Sequence, residues 1–588
     1  MSRREAAFTA VAALALATLA ALPVFESFGN WGIQDWDQHL FYNAVPRVTL
    51  LQYHQVPLWN PYYCGGTVLL AHPLSRFLSP FFILHLLFGT VAGIKLEIPL
   101  HLALGLIGVY SLARTYPLGR ASSSLAAILY TLSTMFAGML TTGMTSFLAV
   151  AYVPWTLLFA RRGLATPRNL LPCAIVLTLT FFEGGAQPLA ITLLCLMLHQ
   201  GFTAARERRI KPLLAFPAVV ALMLLLGAVK FAPSVVFMTS HPRPINDYSG
   251  YSLTSLAYSL LVRDQSVEAP AFGDQQPGFM TGFSYQADEN GMYAGLLALT
   301  LFLIGLARAG SREWPLTLLL AIFLWLSFGN RVRPSLWEAL HSAPLFHTMR
   351  VAQRFRWVTL LAFSLFAAFG LEQVRAFVRR RGGSSRFIGA MSVAIVFAIA
   401  VDLVVTGHRV WRQAFPIAPL VTVRRGEFSQ ASSRPLYDRD GPVVGLHAHG
   451  AWSAHYPALL SNEGLIACYE TANVRRAAVP RDSPEYLGEA FLLGTTGALT
   501  VRRWTPNRLE FEVRVTGPGF IVVNQNYDPG WHASGSGRVT QRSGRLAIAV
   551  TPQDRELSLT YRPASFTVGA SVSALTWLLL AAVWRMRV

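Results

Sequence analysis

Residues 212–238 have the sequence PLLAFPAVVALMLLLGAVKFAPSVVFM, in which Lys230 is the only charged residue. At a rise of about 1.5 Å per residue, a helix of this length exceeds the roughly 30 Å hydrocarbon core of a bilayer. Residues 6–24, AAFTAVAALALATLAALPV, form a second block of the same kind. Such blocks recur along most of the chain, so we predict a polytopic α-helical membrane protein.

The composition agrees with this prediction. Of the 588 residues, 53% are hydrophobic and 13% are charged, against roughly 25% charged in soluble domains. The formal net charge of +19 is almost entirely due to arginine, because only Lys95, Lys211 and Lys230 are lysines. A nucleic-acid-binding protein gathers its basic residues on one exposed face. Here they lie between apolar blocks, so we predict no nucleic-acid partner.

The loops between the apolar blocks alternate in charge, as expected when Lys and Arg are enriched in cytoplasmic loops. The arginine-rich loops at 206–209 and 379–381 then face the cytoplasm, as do both termini. Residues 79–92 are predicted to form an interfacial or re-entrant helix, because a span there would invert every later loop. About twelve spans follow, at residues 6–25, 97–113, 122–140, 146–160, 169–183, 187–204, 212–238, 291–308, 314–328, 355–376, 387–407 and 565–585.

The long segments lie on the extracytoplasmic side in this topology, at residues 26–96, 239–290, 329–354 and 408–564. The last of them alternates apolar and polar residues between Gly and Pro, a pattern typical of a β-sandwich. We therefore predict a transmembrane module at 1–408 that includes the outer loop 26–96. A β-sandwich-like extracytoplasmic domain at 409–564 and a final transmembrane helix with a cytoplasmic tail at 565–588 complete the chain.

The cysteines and histidines form no recognisable metal motif. The four cysteines, none in a CxxC pair, are Cys64, Cys173, Cys195 and Cys468. Cys64 and Cys468 share the outer compartment, which permits a disulfide, although their spacing does not predict one. Further candidate ligands in the first outer region lack a spacing such as HExxH: His54, His72, Glu97 and His101. We therefore predict no structural zinc.

The first outer loop contains two carboxylates among aromatic residues. It begins WGIQDWDQHLFYN at 31–43 and continues VPLWNPYYCGGTVLLAHP at 56–73, placing Asp35 and Asp37 just beyond the first span. Carboxylates at a membrane face are candidates for function, with solvated loop charges as the alternative. The neighbouring aromatic and amide side chains predict either an interfacial belt or a sugar-binding surface. They are Trp36, Gln38, Trp59, Asn60 and Tyr62.

Five segments taken in order carry a family resemblance: PLWNPYYCGG at 57–66, FEGGAQP at 182–188, ADENGMYAGLLALTLF at 287–302, SFGNRVRPSLWEALHSAPLFHTMRVAQRFRW at 327–357 and VNQNYDPGWHA at 523–533. Together they resemble the bacterial YfhO-type membrane proteins of the GT-C glycosyltransferase superfamily. The resemblance covers almost the whole chain except about 409–500. It implies a plasma-membrane transferase, with 1–408 as its catalytic module. Its donor would be a polyprenyl-phosphate-linked sugar and its acceptor an envelope glycan, lipid or protein.

The resemblance also implies particular site residues. The catalytic acid in similar enzymes lies a few residues after the first span and is followed by Gln and an aromatic residue. Asp35 and Asp37 both fit this description, with a slight preference for Asp35. Some GT-C relatives hold a divalent ion beside the acid, so these two aspartates are also candidate ligands for Mg²⁺ or Mn²⁺. Glu183 and Gln187 are candidate acceptor contacts. For Glu183 the alternatives are positioning a metal and a simple turn charge.

The outer compartment constrains the chemistry. Nucleotide sugars are absent there, so a lipid phosphate must be the leaving group. The acceptor hydroxyl then needs a base, which an aspartate near its reference pKa of about 4 supplies, and the phosphate needs cations. The candidate cations are Arg350, Arg354 and Arg356 at an outer boundary and Lys230 inside a span. The alternatives are anchoring to lipid headgroups for the arginines and snorkelling for the lysine.

Two other function classes compete with the transferase. A lipid-linked sugar flippase or transporter needs polar residues along a path through the membrane, and the spans offer few. An envelope scaffold would use the β-rich domain to bind partners. Separate replacement of Asp35 and Asp37 by Asn distinguishes these classes, because a transporter or scaffold would tolerate both changes.

Overall fold

The structure, a computed structural model, describes residues 3–32, 34–243, 245–266, 278–419, 422–434, 437–438, 441–442, 454–468, 473–534 and 537–585. The end of the predicted tail, 586–588, lies outside them. The chain forms two compact units. Unit 1 contains 1–28, 94–223 and 244–416, and unit 2 contains 29–93, 224–243 and 417–588. The first outer loop therefore belongs to the unit that also holds the β-rich segment, whereas the sequence-based division assigned it to the transmembrane module.

The described helices, numbered in chain order, are α1 (Arg3–Ala20), α2 (Trp36–Leu51), α3 (Phe82–Phe88), α4 (Thr90–Ala113), α5 (Arg120–Leu132), α6 (Thr134–Thr141), α7 (Val153–Ala165), α8 (Leu170–Phe182), α9 (Ala186–Glu207), α10 (Lys211–Leu226), α11 (Ala228–Ser240), α12 (Leu253–Leu261), α13 (Ala287–Asn290), α14 (Leu296–Ala309), α15 (Trp314–Ser327), α16 (Leu336–His341), α17 (Arg356–Arg380), α18 (Ser385–Trp411), α19 (His455–Leu460) and α20 (Ala564–Arg585). Short 3₁₀ helices lie at Leu22–Phe25, Thr145–Tyr152, Pro167–Asn169, Gly329–Arg331 and Ala352–Phe355.

Six helical segments among the described residues are long and apolar enough to cross a membrane: Thr90–Ala113, Arg120–Thr141, Ala186–Glu207, Ala352–Arg380, Ser385–Trp411 and Ala564–Val583. The pair α10 and α11 would make a seventh, but it bends by 91° at the break. Leu170–Phe182, Leu296–Ala309 and Trp314–Ser327 are apolar but shorter. The structure thus has the helices of a membrane protein, while the count of about twelve spans stays a prediction.

Unit 1 is a helical bundle in which α14 and α17 approach closely. A Cβ atom at Gly305 would overlap the carbonyl oxygen of Phe366, and one at Gly370 would overlap that of Leu301. Small residues at such a crossing let two backbones touch, as in other membrane helix pairs. The crossing holds α17 in place. The first residue of α17 is Arg356, the last of the three arginines predicted to bind phosphate.

Single faces of the spans expose large apolar side chains. In unit 1, α18 exposes Phe387, Val393 and Phe397. In unit 2, α20 exposes Leu575 and Leu578. Apolar side chains exposed over a whole helix are expected where lipid tails surround it.

Unit 2 contains two four-stranded antiparallel sheets. Their strands are β7 (Ala490–Leu493), β8 (Gly497–Thr505), β9 (Arg508–Val515), β10 (Gly519–Asn526), β11 (Trp531–Ala533), β12 (Val539–Arg542), β13 (Arg545–Val550) and β14 (Glu556–Tyr561). The orders are β12-β13-β10-β7 and β11-β14-β9-β8. Alternate residues of both sheets, such as Phe511 and Ile548, enter one apolar core. Short pairs elsewhere are β1 (Trp59–Asn60) with β2 (Thr67–Val68), β3 (Ser429–Ala431) with β6 (Glu463–Leu465), and β4 (Tyr437–Asp438) with β5 (Gly441–Pro442).

The first outer loop is fastened within unit 2. The β1–β2 hairpin turns through Cys64, Gly65 and Gly66, all at positive φ, and Cys64 forms a disulfide with Cys468 across 404 residues of sequence. A Cβ at Gly66 would come within 2.9 Å of the Trp59 ring, so only glycine fits there. Trp59 itself belongs to the core that the sheets share.

Candidate active site

Asp35 lies on the turn that starts α2. It is the N-cap residue, it is half-buried, and its side chain makes no capping bond to α2. Gln34 directly before it has a φ of 61°, a left-handed conformation that non-glycine residues rarely adopt. The positive end of the helix dipole lies at this terminus and favours an ionised carboxylate. Asp35 is therefore a half-buried carboxyl group on a constrained turn.

Asp37 is buried, and both of its carboxylate oxygens accept hydrogen bonds. Its side chain is 3% exposed, and its two oxygens accept hydrogen bonds from the backbone N–H of His455 at 2.7 Å and of Tyr456 at 3.0 Å. These are the first amides of α19, whose own N-cap residue, Ala454, has no side-chain acceptor. Free amides at a helix start need such an acceptor. Asp37 thus caps α19 from a distant part of the chain.

Most of the predicted sugar-binding residues are interior. Trp36 is fully buried, and the Gln38 amide donates to the hydroxyls of Tyr42 at 3.0 Å and Tyr63 at 2.9 Å. The three candidates further along the loop also form hydrogen bonds inside the protein. Trp59 donates to Gln525, Asn60 accepts from the Tyr62 N–H, and Tyr62 donates to Asn462. These side chains build the packing of the first loop.

Lys230 lies on α11, beyond the bend that follows α10. It is 1% exposed, and its ammonium donates to the carbonyl oxygens of Ser75 at 2.6 Å and Pro73 at 3.2 Å. All three residues belong to unit 2. The predicted phosphate ligand therefore fastens the first outer loop to α11.

In unit 1 the structure brings Gln187 together with the arginine segment. The Arg354 guanidinium donates to both carboxylate oxygens of Glu289, to Oε2 at 2.9 Å, and to the Gln187 side-chain oxygen. Gln187 in turn donates to the carbonyl of Arg350 at 3.0 Å. Arg354 also lies 4.6 Å from the centre of the Phe147 ring. A two-point ion pair with an amide and a ring behind it fixes the guanidinium firmly.

Glu289 had no assigned role, although it lies in the ADENG segment at 287–291. Burial raises the pKa of its carboxyl, but the Arg354 guanidinium, with Arg356 and Arg350 nearby, holds that pKa below its usual value. The carboxylate is therefore ionised at neutral pH. An acidic residue directly before an apolar helix was the available sequence signal.

Arg356 and Arg350 differ in their surroundings. Arg356 is fully buried and donates to the carbonyls of Glu289 and, at 2.9 Å, Asp288. Arg350 is half-buried. The next residue, Val351, has a φ of 66°, a costly conformation for a β-branched side chain. Strained backbone of this kind clusters at functional sites.

A second polar cluster of unit 1 was missed by spacing arguments. Glu97 and His101, one turn apart on α4, lie against Glu183 from the predicted acceptor motif. In the part of the chain that the structure describes, these three form the group with metal-ligand geometry. Neither Asp35 nor Asp37 belongs to it. Glu183 comes from a different helix, which explains why no local motif revealed the group.

Comparison with known proteins gives a fold relationship. No family model and no curated protein matches the chain. Among solved structures it is similar to arabinofuranosyltransferase AftD from mycobacteria, with a TM-score of 0.50 and 16% identity over 79% of this chain and 32% of that chain. A structure of a mutant of AftD has a TM-score of 0.46, with 15% identity over 79% of this chain and 33% of that one. The chain thus spans about a third of the length of AftD. The comparison shows that this chain shares the fold of AftD over 79% of its length.

Proposed function

We propose that the chain is a GT-C-type membrane glycosyltransferase. It transfers a sugar from a polyprenyl-phosphate carrier to an envelope glycan, lipid or protein on the outer face of a bacterial plasma membrane. The observation that carries the proposal is the similarity to the AftD fold over 79% of the chain. The ordered resemblance to YfhO-type proteins supports it independently.

Asp35 is the proposed base. Asp37 uses both carboxylate oxygens to cap α19, so its removal would damage the fold first. Asp35 is half-buried at the positive end of α2, where a carboxylate stays ionised and ready to accept a proton. Asp35 is therefore the better candidate of the two aspartates.

Arg350 is the proposed phosphate contact, and Arg354 is a positioning residue. Arg354 is committed to Glu289 and Gln187, and Gln187 binds the Arg350 backbone. That chain of contacts fixes the segment from which the half-buried Arg350 side chain extends. A guanidinium suits phosphate oxygens because of its planar donor fork.

The step balances without a redox partner. The acceptor oxygen forms a bond to the anomeric carbon of the donor while the bond from that carbon to the phosphate oxygen breaks. The phosphate leaves with the bonding electron pair, and the acceptor proton moves to the Asp35 carboxylate. Trp59, Asn60 and Tyr62 support the loop because they are buried with internal partners.

The test uses the purified full chain in lipid nanodiscs with radiolabelled polyprenyl-phosphate sugars and an envelope extract as acceptor source. We expect the wild type to consume at least one labelled lipid and Asp35→Asn to lose that activity. Asp482→Asn, an exposed carboxylate in unit 2, is the matched control and should keep the wild-type rate. The proposal fails if no lipid in the panel is consumed or if Asp35→Asn is as active as the control. Lipid translocation without a glycosylated product would favour the flippase instead.

A further inference from the structure

Three side chains in unit 1 converge inside the helical bundle. Glu97 and His101 lie one turn apart on α4, and Glu183 follows the last residue of α8. Their exposed fractions are 1%, 0% and 0%. Buried carboxylates beside an imidazole are uncommon in a bundle, because each charge lost from water needs compensation.

The geometry suits a bound ion. One ligand atom from each residue can be chosen so that all lie within 4.8 Å of one another. The Nε2 atom of His101 is 3.6 Å from Oε1 of Glu183, and the Nδ1 atom of the same ring is 3.7 Å from Oε1 of Glu97. The Glu97 side chain therefore has to turn toward Nε2 to join the set. Two ligand atoms on an ion with bonds of roughly 2.1 Å stand about 3.0 to 3.4 Å apart at octahedral or tetrahedral angles. Separations of up to 4.8 Å therefore have to shorten by up to about 1.4 Å to reach coordination distance, which rotation of the two glutamate side chains can supply.

The orientation of His101 fits the same interpretation. Its Nδ1 atom is 3.2 Å from the backbone carbonyl of Glu97, and a carbonyl can only accept, so the hydrogen lies on Nδ1. In the neutral ring the lone pair is then on Nε2, which is the atom nearest the Glu183 carboxylate. The Tyr152 hydroxyl donates to that same carboxylate at 3.3 Å. Metal-binding histidines and carboxylates are commonly oriented by such outer hydrogen bonds.

We propose that Glu97, His101 and Glu183 bind one divalent transition-metal ion of the Zn²⁺ or Mn²⁺ type. One imidazole with two carboxylates matches the ligand preferences of these ions, whereas Mg²⁺ and Ca²⁺ favour oxygen ligands alone. The site is independent of the transferase proposal, because it does not include Asp35 or the arginine segment.

The experiment measures metal in the full chain. The protein is purified in detergent without a histidine tag, its metal content is determined by plasma mass spectrometry, and ZnCl₂, MnCl₂ and MgCl₂ are titrated in by calorimetry after chelator treatment. We expect about one equivalent of Zn²⁺ or Mn²⁺ per chain and much weaker Mg²⁺ binding. His101→Gln and Glu183→Gln should each weaken binding at least a hundredfold. Tyr152→Phe should weaken it about tenfold at unchanged stoichiometry.

Two controls keep the result interpretable. His199→Gln replaces another buried histidine of unit 1, on α9, and should bind metal as the wild type does. The thermal midpoint of the wild type should fall with chelator and recover with metal, while that of His101→Gln should not respond. The proposal is overturned if the wild type shows no saturable metal binding, or if both ligand variants bind metal as the wild type does. It is also overturned if His199→Gln loses as much metal affinity as the ligand variants.

Discussion

The start of α2 and the segment that leads into α17 each contain a charged residue that is buried and another that is half-buried. At the start of α2, Asp37 is buried on the amides of α19, whereas Asp35, two residues earlier, is half-buried. Before α17, Arg356 is buried on backbone carbonyls, whereas Arg350 is half-buried. In both segments one charged residue fixes the backbone so that a neighbouring charge has a defined place. The partly exposed member of each pair is therefore the better candidate for chemistry.

The two segments differ in what compensates the buried charge. Asp37 accepts hydrogen bonds from two neutral backbone amides in unit 2 and lies 3.5 Å from Nδ1 of the His455 ring. In unit 1, Glu289 pairs with the oppositely charged Arg354. Loss of a helix cap costs about 1 to 2 kcal/mol, whereas breaking a buried ion pair from one side costs about 3 to 5 kcal/mol. The two segments should therefore respond differently to substitution.

The largest expected effect separates Asp35 from Asp37. Asp35→Asn should lower the transfer rate by about 10² to 10⁴ at an unchanged thermal midpoint, because a general base is lost while the turn is kept. Asp37→Ala should lower the midpoint by several degrees and reduce the rate only in proportion to the folded fraction. Initial rates and unfolding curves on the same preparations check this. A rate loss in Asp37→Ala at a wild-type midpoint would reverse the two roles.

The next effect concerns the ion pair of unit 1. Arg354→Met and Glu289→Met should each destabilise unit 1 by about 3 to 5 kcal/mol, because each leaves one buried charge unpaired. The double variant should lose much less than the sum of the two. Arg350→Met, by contrast, should leave the thermal midpoint nearly unchanged and raise the donor concentration needed for half-maximal rate. Additive losses in the double variant would show that the pair is not coupled.

The sequence predicted what depends on local pattern. Runs of apolar residues predicted the membrane helices, and alternation after residue 500 predicted the sheets. Partners far apart in the chain were not predictable, because no single-chain pattern records them. Asp37 with the start of α19 and Cys64 with Cys468 are such pairs. Glu289 lies seven residues before α14, an apolar helix that the sequence predicted, yet its partner Arg354 is 65 residues further along the chain.

A smaller effect should come from the backbone beside Arg350. Val351 has a φ of 66° and is buried, so Val351→Gly should relieve about 1 kcal/mol of backbone strain but lose more through the missing side chain, with a small net destabilisation. It should also lower the transfer rate several-fold, because the Arg350 segment becomes less well positioned. Ser543→Gly, at a φ of 49° in the β12–β13 turn, is the control and should stabilise without slowing transfer. If both variants transfer sugar at the same rate, the strained backbone at Val351 has no role in positioning Arg350.

The smallest effect compares Glu289, which is buried, with Glu489, which is half-buried. The pKa of Glu289 is held low by Arg354. Glu489 in unit 2 instead accepts from the Gln430 N–H at 2.7 Å and the Tyr486 hydroxyl at 2.9 Å. These neutral donors only partly offset burial, which raises the pKa of Glu489 from 4.5 to about 7. The folded state therefore binds more protons than the unfolded state between these two values.

The sign of the pH dependence follows from that difference. Because the folded state holds the extra proton, the stability of unit 2 should fall as pH rises from 4.5 to about 7 and then level off. Glu289, with its lowered pKa, contributes stability that is fully present above 4.5 and so adds no slope in this window. Thermal midpoints between pH 5 and 8 should decline by a few degrees in the wild type, while Glu489→Gln, which keeps the acceptor for Gln430, should flatten the curve. An equal slope in Glu489→Gln would mean that another group of unit 2 titrates, and that neutral donors compensate a buried carboxylate there as well as an arginine does in unit 1.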